Sequence, residues 1–313
     1  MSESAEPESG VPAPMTIGRR RFAWGERTFV MGIVNVTPDS FSGDGLLPDA
    51  PPDSGSAARS ADPAHPIDTA VAQARSMVAE GADLLDVGGE STRPGHVEVA
   101  TDEEIRRVVP VIEAIRQALP DTPLSVDTTK PVVAEAALAA GADLVNDVWG
   151  VAEDDGIARV AAAHGAPLVL MHNRAEPRYD DLVAEVIADL EAAIERAVRA
   201  GVGREQIIVD PGFGFGKTPE HNVAILASIG RLRVLGRPIL LGTSRKSTLG
   251  RILDLPADQR VEATLATTAL GIAAGVDMIR VHDVLANVRV ARTADAIIRG
   301  TWRPSAQAEG GLA

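Results

Sequence analysis

Cysteine is absent from the 313 residues. Disulfides, thiolate metal ligands and cysteine nucleophiles are excluded with it, and the composition fits a reducing compartment. No run of 18 consecutive apolar residues occurs, so no transmembrane helix is expected. Residues 1–18 have neither a basic start nor an apolar stretch. That excludes a signal peptide and makes a cytoplasmic location the expectation. Positive charge is in deficit: 30 basic residues face 44 acidic ones, for a net charge of -14. Such a surface repels polyphosphate, so general binding to nucleic acid or anionic lipid is not expected. Lysine is scarce in its own right. Lys130, Lys217 and Lys246 are the only three, and every other basic residue is Arg. A lysine kept against that bias is a candidate for a role that Arg does not fill.

What is present is a regular alternation. Pro-, Ser-, Asp- and Gly-rich composition marks residues 1–18 and 304–313 as loose tails and 41–66 as a long loop. The remainder, 19–303, alternates short Val/Ile/Leu-rich runs with longer stretches of helical spacing. The runs predict strands at 28–35, 83–88, 123–127, 143–147, 167–171, 206–210, 238–242 and 278–282. Helices are predicted near 68–80, 102–118, 130–140, 153–164, 180–200, 219–235, 257–274 and 283–299. One device recurs at Gly81-Ala82-Asp83, Gly141-Ala142-Asp143 and Gly275-Val276-Asp277: Gly ends a helix and a short turn enters the next strand. Eight βα units in about 260 residues fit a single-domain (β/α)8 TIM barrel, whose usual size is ~250 residues. A doubly wound open sheet is the rival, but it would need fewer strands or a second domain.

Barrel enzymes carry their chemistry at the C-terminal ends of the strands. Those ends read Asn35, Asp86, Asp127, Asn146-Asp147, Met171-His172, Asp210, Thr243-Ser244-Arg245-Lys246 and Arg280-Val281-His282. Singly, Asp127 reads equally well as a helix cap, Asn146, Asp147 and Asp210 as turn formers, and Arg280 as a surface ion pair. Their convergence on one mouth is what points to a site. Asp127, Asn146 and Asp210 suit the amino-amidine edge of a heterocycle, since a carboxylate accepts two parallel N–H bonds. Arg93, Arg245, Lys246, Arg280 and His282, read as lying nearer the rim, suit a phosphate or diphosphate. The run Gly212-Phe213-Gly214-Phe215-Gly216-Lys217 matches neither a P-loop nor a dinucleotide fingerprint, because position 211 is Pro and 217 is Lys. It reads as backbone close to a flat ligand, with Phe213 or Phe215 stacking on it, or as a structural turn.

The stretches MGIVNVTPDSFS (31–42), DLLDVGGESTRPG (83–95), LSVDTTKP (124–131), ADLVNDVWG (142–150), VLMH (169–172), IIVDPGFGFGKT (207–218), ILLGTSRKS (239–247) and MIRVHDV (278–284) resemble the dihydropteroate synthase family. The resemblance runs through nearly all of the predicted barrel. It implies a TIM-barrel transferase that joins 6-hydroxymethyl-7,8-dihydropterin diphosphate to 4-aminobenzoate, with Mg2+ as cofactor and a homodimer built through the late helices. By motif, Asn35 would hold the Mg2+. Asp127, Asn146 and Asp210 would hold the pterin, with Met171, Phe215 and Lys246 around it. Thr92, Arg93, Arg280 and His282 would meet the diphosphate. Phe41, Pro94 and Ser247 would border the aminobenzoate. Lys246, Arg280 and His282 carry the expected catalytic roles.

The chain departs from the family pattern after the first predicted strand. That loop is longer than usual, and Phe41-Ser42-Gly43-Asp44-Gly45 stands where Ser-Asp-Gly-Gly is usual, so Asp44 becomes the candidate for that Asp. Two rival functions share the pterin residues. A methyltetrahydrofolate:corrinoid methyltransferase would not need the cations at 93, 245, 246 and 280. A non-catalytic pterin-binding paralogue would not need the set to be intact.

Overall fold

A computed structural model of the chain describes residues 10–36, 66–90, 99–150 and 154–303. Eight parallel strands form one sheet: β3 (Phe29–Asn35), β4 (Leu84–Gly88), β5 (Leu124–Asp127), β6 (Leu144–Asp147), β7 (Leu168–Met171), β8 (Ile207–Asp210), β9 (Leu240–Leu241) and β10 (Met278–Val281). Each pairs with its predecessor from β4 to β8, and β10 lies between β3 and β9. Closure comes from a parallel bridge between Val209 and Ile239, with Val209 N–H donating to the Pro238 carbonyl at 2.9 Å. The sheet is therefore a (β/α)8 barrel, as the alternation predicts.

Around it run α1 (Pro66–Glu80), α2 (Thr101–Ala118), α3 (Pro131–Ala139), α4 (Gly156–His164), α5 (Leu182–Arg199), α6 (Pro219–Ala227), α7 (Ser247–Leu253), α8 (Val261–Ala273) and α9 (Val284–Ile298). Two helical expectations change. The predicted helix at 219–235 is α6 followed by a 3-10 segment, Ile229–Leu235, and the short α7 was not predicted.

The side-chain alternation of the strands divides two cores. Outward residues such as Val30, Leu85, Val126, Val145, Leu168, Val209, Leu241 and Ile279 pack against the helices. Inward ones, Met31, Leu84, Leu144, Val169, Ile208, Leu240 and Met278, fill the lower barrel. Two residues further along each strand the same inward parity brings Ile33, Asp86, Asn146, Met171, Asp210, Gly242 and Arg280. The interior thus changes from apolar to polar in one layer, toward the C-terminal mouth.

The opposite end is plugged by a hairpin, β1 (Met15–Ile17) with β2 (Arg20–Phe22). Its Met15, Ile17 and Phe22, with Trp24 and Phe29, join the inner apolar cluster. The expectation of a loose tail through residue 18 is corrected here: residues 15–17 form a strand in which Ile17 is fully buried. Composition missed it because strands of three residues carry little periodicity.

The recurring Gly-x-Asp device is structural. Gly81, Gly141 and Gly275 take φ of 108°, 114° and 95°, a region that L residues avoid. The Asp two residues on then accepts an N–H at the start of a neighbouring strand. Asp83 accepts from Val30 at 2.8 Å, Asp143 from Leu124 at 2.9 Å and Asp277 from Ile239 at 3.0 Å. These carboxylates close the base of the barrel, far from the polar layer.

Candidate active site

The polar layer is held by one arginine. Arg280, on β10, donates from Nε to Asp86 Oδ2 at 2.5 Å and from Nη2 to Asp127 Oδ2 at 2.6 Å. Asn146 Nδ2 donates to the same Asp86 oxygen at 3.1 Å. Strand register produces this cluster: Gly88, Asp127 and Asn146 stand abreast on β4, β5 and β6, and Met171 stands beside Asp210 on β7 and β8. Gly88 and Gly242 border it at ordinary contact distance. A Cβ at 88 would lie 3.5 Å from the Asp127 Cβ, and one at 242 would lie 3.7 Å from Asp210 Oδ2.

Asp86, Asp127, Asn146, Met171 and Asp210 are all buried. Burial pushes the Asp127 carboxyl up to about 7, with Arg280 pulling against it. Burial also raises Asp210, opposed by Lys246 and by the N–H of Gly212, which donates to Asp210 Oδ1 at 2.7 Å. Asp86 Oδ1, Ser125 Oγ and Asp127 Oδ1 are buried with no hydrogen-bond partner among the described residues. An orphaned buried acceptor is costly and marks a place for a donor. Three on the neighbouring strands β4 and β5 suit a ligand rich in N–H groups.

Lys246 reaches this layer from the loop between β9 and α7. Its Nζ donates to the Phe213 carbonyl and lies 4.2 Å above the Phe215 ring. Phe213 itself is buried in the core, so of the two candidates only Phe215 offers a ring at the mouth. Burial lowers Lys246 to about 8, with Asp210 the main opposing charge. His282 Nδ1 lies 2.9 Å from Ser244 Oγ, which also accepts the His282 backbone N–H at 3.1 Å. Ser247 is exposed at the start of α7, and Asn35 is half-buried at the end of β3.

Three expectations change. The charges do not separate by sign: Arg280 sits among carboxylates, and Arg245 pairs with Asp283 through two bonds of 3.1 and 2.7 Å. The Mg2+ assigned to Asn35 is overturned. Among the described residues no group of three or more His, Asp or Glu side chains is placed to hold a metal ion, and Asp86 and Asp127 are already bound to a guanidinium. Asp86, which bonds both Arg280 and Asn146, was not assigned to the site by sequence reasoning. Its inward parity two residues after Leu84 was the available signal. Thr92, Arg93, Pro94, Phe41 and Asp44 lie outside the described residues.

Comparison with known proteins agrees with this geometry. The family model of pterin binding enzymes matches residues 31–282. A dihydropteroate synthase of Clostridium beijerinckii is 48% identical over 286 residues, covering 91% of this chain and all of that protein. The structure of Xanthomonas albilineans dihydropteroate synthase with 4-aminobenzoic acid superposes with a TM-score of 0.81 at 41% identity, covering 92% of this chain and 98% of that one. That of Burkholderia cenocepacia dihydropteroate synthase with 7,8-dihydropteroate gives 0.79 at 40%, covering 93% and 98%. A polar barrel mouth with buried acceptors left unpaired among the described residues, carried on a chain matched over almost its whole length, leads to one conclusion: the chain belongs to the pterin-binding dihydropteroate synthase family.

Proposed function

We propose that the reaction of this family runs at the polar layer around Arg280. The chain is a transferase of folate biosynthesis: it condenses 6-hydroxymethyl-7,8-dihydropterin diphosphate with 4-aminobenzoate to give 7,8-dihydropteroate and diphosphate. The observation that carries the placement is the set of buried acceptors without partners at Asp86 and Asp127. The N–H groups of a pterin would satisfy them, with Asn146 and Asp210 completing the edge and Met171 and Phe215 flanking the ring.

The chemistry follows from charge. As the C–O bond to diphosphate lengthens, the pterin CH2 becomes cationic and the ring delocalises that charge. Asp127 and Asp210 stabilise the ring, and preorganised carboxylates in a water-poor site do so strongly. The bonding pair leaves with diphosphate, toward which Lys246, Arg280 and His282 supply positive charge, with Thr92 and Arg93 assigned to the same group. The neutral amine of 4-aminobenzoate, bordered by Phe41, Pro94 and Ser247, attacks the CH2 and then loses a proton. No covalent nucleophile on the protein is required.

Incubation with the dihydropterin diphosphate, with and without 4-aminobenzoate, tests this. 7,8-Dihydropteroate is expected only with the acceptor. Tight pterin binding without product would favour the non-catalytic reading instead. A homodimer is part of the proposal. Leu270 on α8 and Ile297 and Ile298 on α9 are 64%, 74% and 52% exposed, an apolar face that a second copy would cover. Sedimentation is expected to give two chains per particle, and one after Ile297→Asp; a single-chain wild type would refute it. No described helix is long and apolar enough to cross a membrane. A cytoplasmic location is proposed from the cysteine-free composition, and recovery of the activity in a membrane pellet would refute it.

A further inference from the structure

Lys217 lies beside the mouth without entering it. Its Nζ donates to His172 Nδ1 at 2.8 Å, to the Gly212 carbonyl at 3.1 Å and to the Phe215 carbonyl at 3.1 Å. Three acceptors match the three N–H bonds of an ammonium, whereas a planar guanidinium cannot converge on them from one atom. Burial lowers Lys217 to about 7, the Asp210 charge working the other way, and the three acceptors favour the charged form.

The acceptor on the ring is itself held. His172 Nε2 lies 3.0 Å from Asp189 Oδ2, which assigns the ring proton to Nε2 and leaves Nδ1 to accept. Burial, then the Lys217 charge, holds His172 down to about 4, so it is neutral near pH 7. Asp189 also accepts from Arg174, at 2.9 Å from Nε and 2.7 Å from Nη2. A chain of polar contacts therefore runs from Arg174 through Asp189 and His172 to Lys217, and Lys217 ends on the backbone of loop 212–216.

That loop is pressed against its neighbour. Gly212 has φ of 69°, and a Cβ there would come within 1.8 Å of the His172 carbonyl; one at Gly216 would come within 2.5 Å of the Arg174 carbonyl. Lys217 stitches the two carbonyls at the ends of the turn to one point. On its other side the same turn meets Lys246, through the Phe213 carbonyl and the Phe215 ring.

We propose that Lys217 is a positioning residue for the condensation: backed by His172 and Asp189, it fixes loop 212–216 so that Phe213 and Phe215 hold the Lys246 ammonium at the mouth. The proposal rests on the reading of that mouth as the reaction site.

The cysteine-free chain permits a direct test. Lys217→Cys introduces the only thiol, and 2-bromoethylamine converts it to a lysine analogue with sulfur in place of one methylene. kcat/KM is expected to fall about 100-fold in Lys217→Cys, the scale of an ångström-sized misplacement. Aminoethylation should recover most of the loss, and capping with iodoacetamide none of it. In a Lys246→Ala background the same change should cost little, because Lys217 acts through Lys246. Full activity of Lys217→Cys, a folded aminoethylated protein without recovery, or additive losses would each overturn the proposal. Should Lys217→Cys not fold, Asp189→Asn, at the exposed end of the chain of contacts, is expected to lower kcat/KM several-fold with the same non-additivity. An unchanged rate there would overturn the proposal too. Failure of the functional reading is separate: a wild-type chain making no dihydropteroate would defeat that reading. The Lys217 claim would then be decided by calorimetric titration of the dihydropterin diphosphate through the same cycle, additive affinities overturning it.

Discussion

Replacing Lys246 with Ala is expected to lower kcat/KM by about 10²–10³-fold, the scale for removing one preorganised charge or donor from a transition state, with the barrel still folded. The position explains why the two effects separate. Lys246 lies on a loop, half-buried, and its head contacts a carbonyl and a ring face rather than filling the core. Its removal leaves Asp210 bonded to the Gly212 N–H. The charge itself is conditional, since burial lowers Lys246 to about 8. The protonated form is the useful one, so wild-type kcat/KM is expected to fall as pH rises through about 8. That limb should vanish in Lys246→Ala. Steady-state rates across pH 6–9, with thermal melts of both proteins, check this. A loss below tenfold, or an alkaline limb that survives the substitution, would remove Lys246 from the reaction.

The three lysines show how far the sequence was legible. Their scarcity singled them out: Lys130 and Lys217 each prove to be a point-charge donor with three acceptors, and Lys246 bonds one carbonyl and faces a ring. Lys130 Nζ contacts Glu90 at 2.5 Å, Glu104 at 2.7 Å and the Val99 carbonyl at 2.7 Å. Scarcity did not say which was which: Lys130 ties α2 to the start of α3, Lys217 ties a turn, and Lys246 faces the mouth. The strands were legible because buried parallel strands read as short aliphatic runs. Asp86 was read as a strand end but given no role, because LLDVG looks like any such run with one polar interruption, and only inward parity with Arg280 two strands away across β3 gives it a partner. The failed division of charges has the same origin. Arg280 sits in a strand and Arg245 on a loop, yet the sequence order cannot show that one faces two carboxylates inside the barrel and the other faces Asp283 outside it. The basal hairpin, three residues per strand, was hidden by its Pro- and Glu-rich surroundings.

The largest effect on stability is expected from Arg280→Met. The side chain is 18% exposed and bridges Asp86 and Asp127, whose side chains are 0% and 5% exposed. Removing one member of such a cluster strands buried charge, at a cost of ~3–5 kcal/mol. For a chain of this size that corresponds to a fall in melting temperature of roughly 6 °C. Arg280→Lys is not expected to restore it, since one ammonium does not reproduce the two separate nitrogens that now serve two carboxylates. The pH dependence gives the sharper test. Burial already raises Asp127 from 3.8 to about 7 against the pull of Arg280. A carboxyl with a raised folded pKa binds more protons folded than unfolded, so its contribution to stability falls as pH rises from 3.8 through about 7. Without Arg280 that pull is gone and the fall is larger. The deficit of Arg280→Met relative to wild type should therefore be small near pH 4, where Asp127 is protonated, and should grow up to and beyond pH 7. Urea unfolding of both proteins at pH 4.5 and pH 8 measures it. Equal deficits at the two values would mean that Arg280 acts through packing alone. A deficit that grows with pH would tie the fold of the barrel mouth to the same carboxylates that are proposed to bind the pterin.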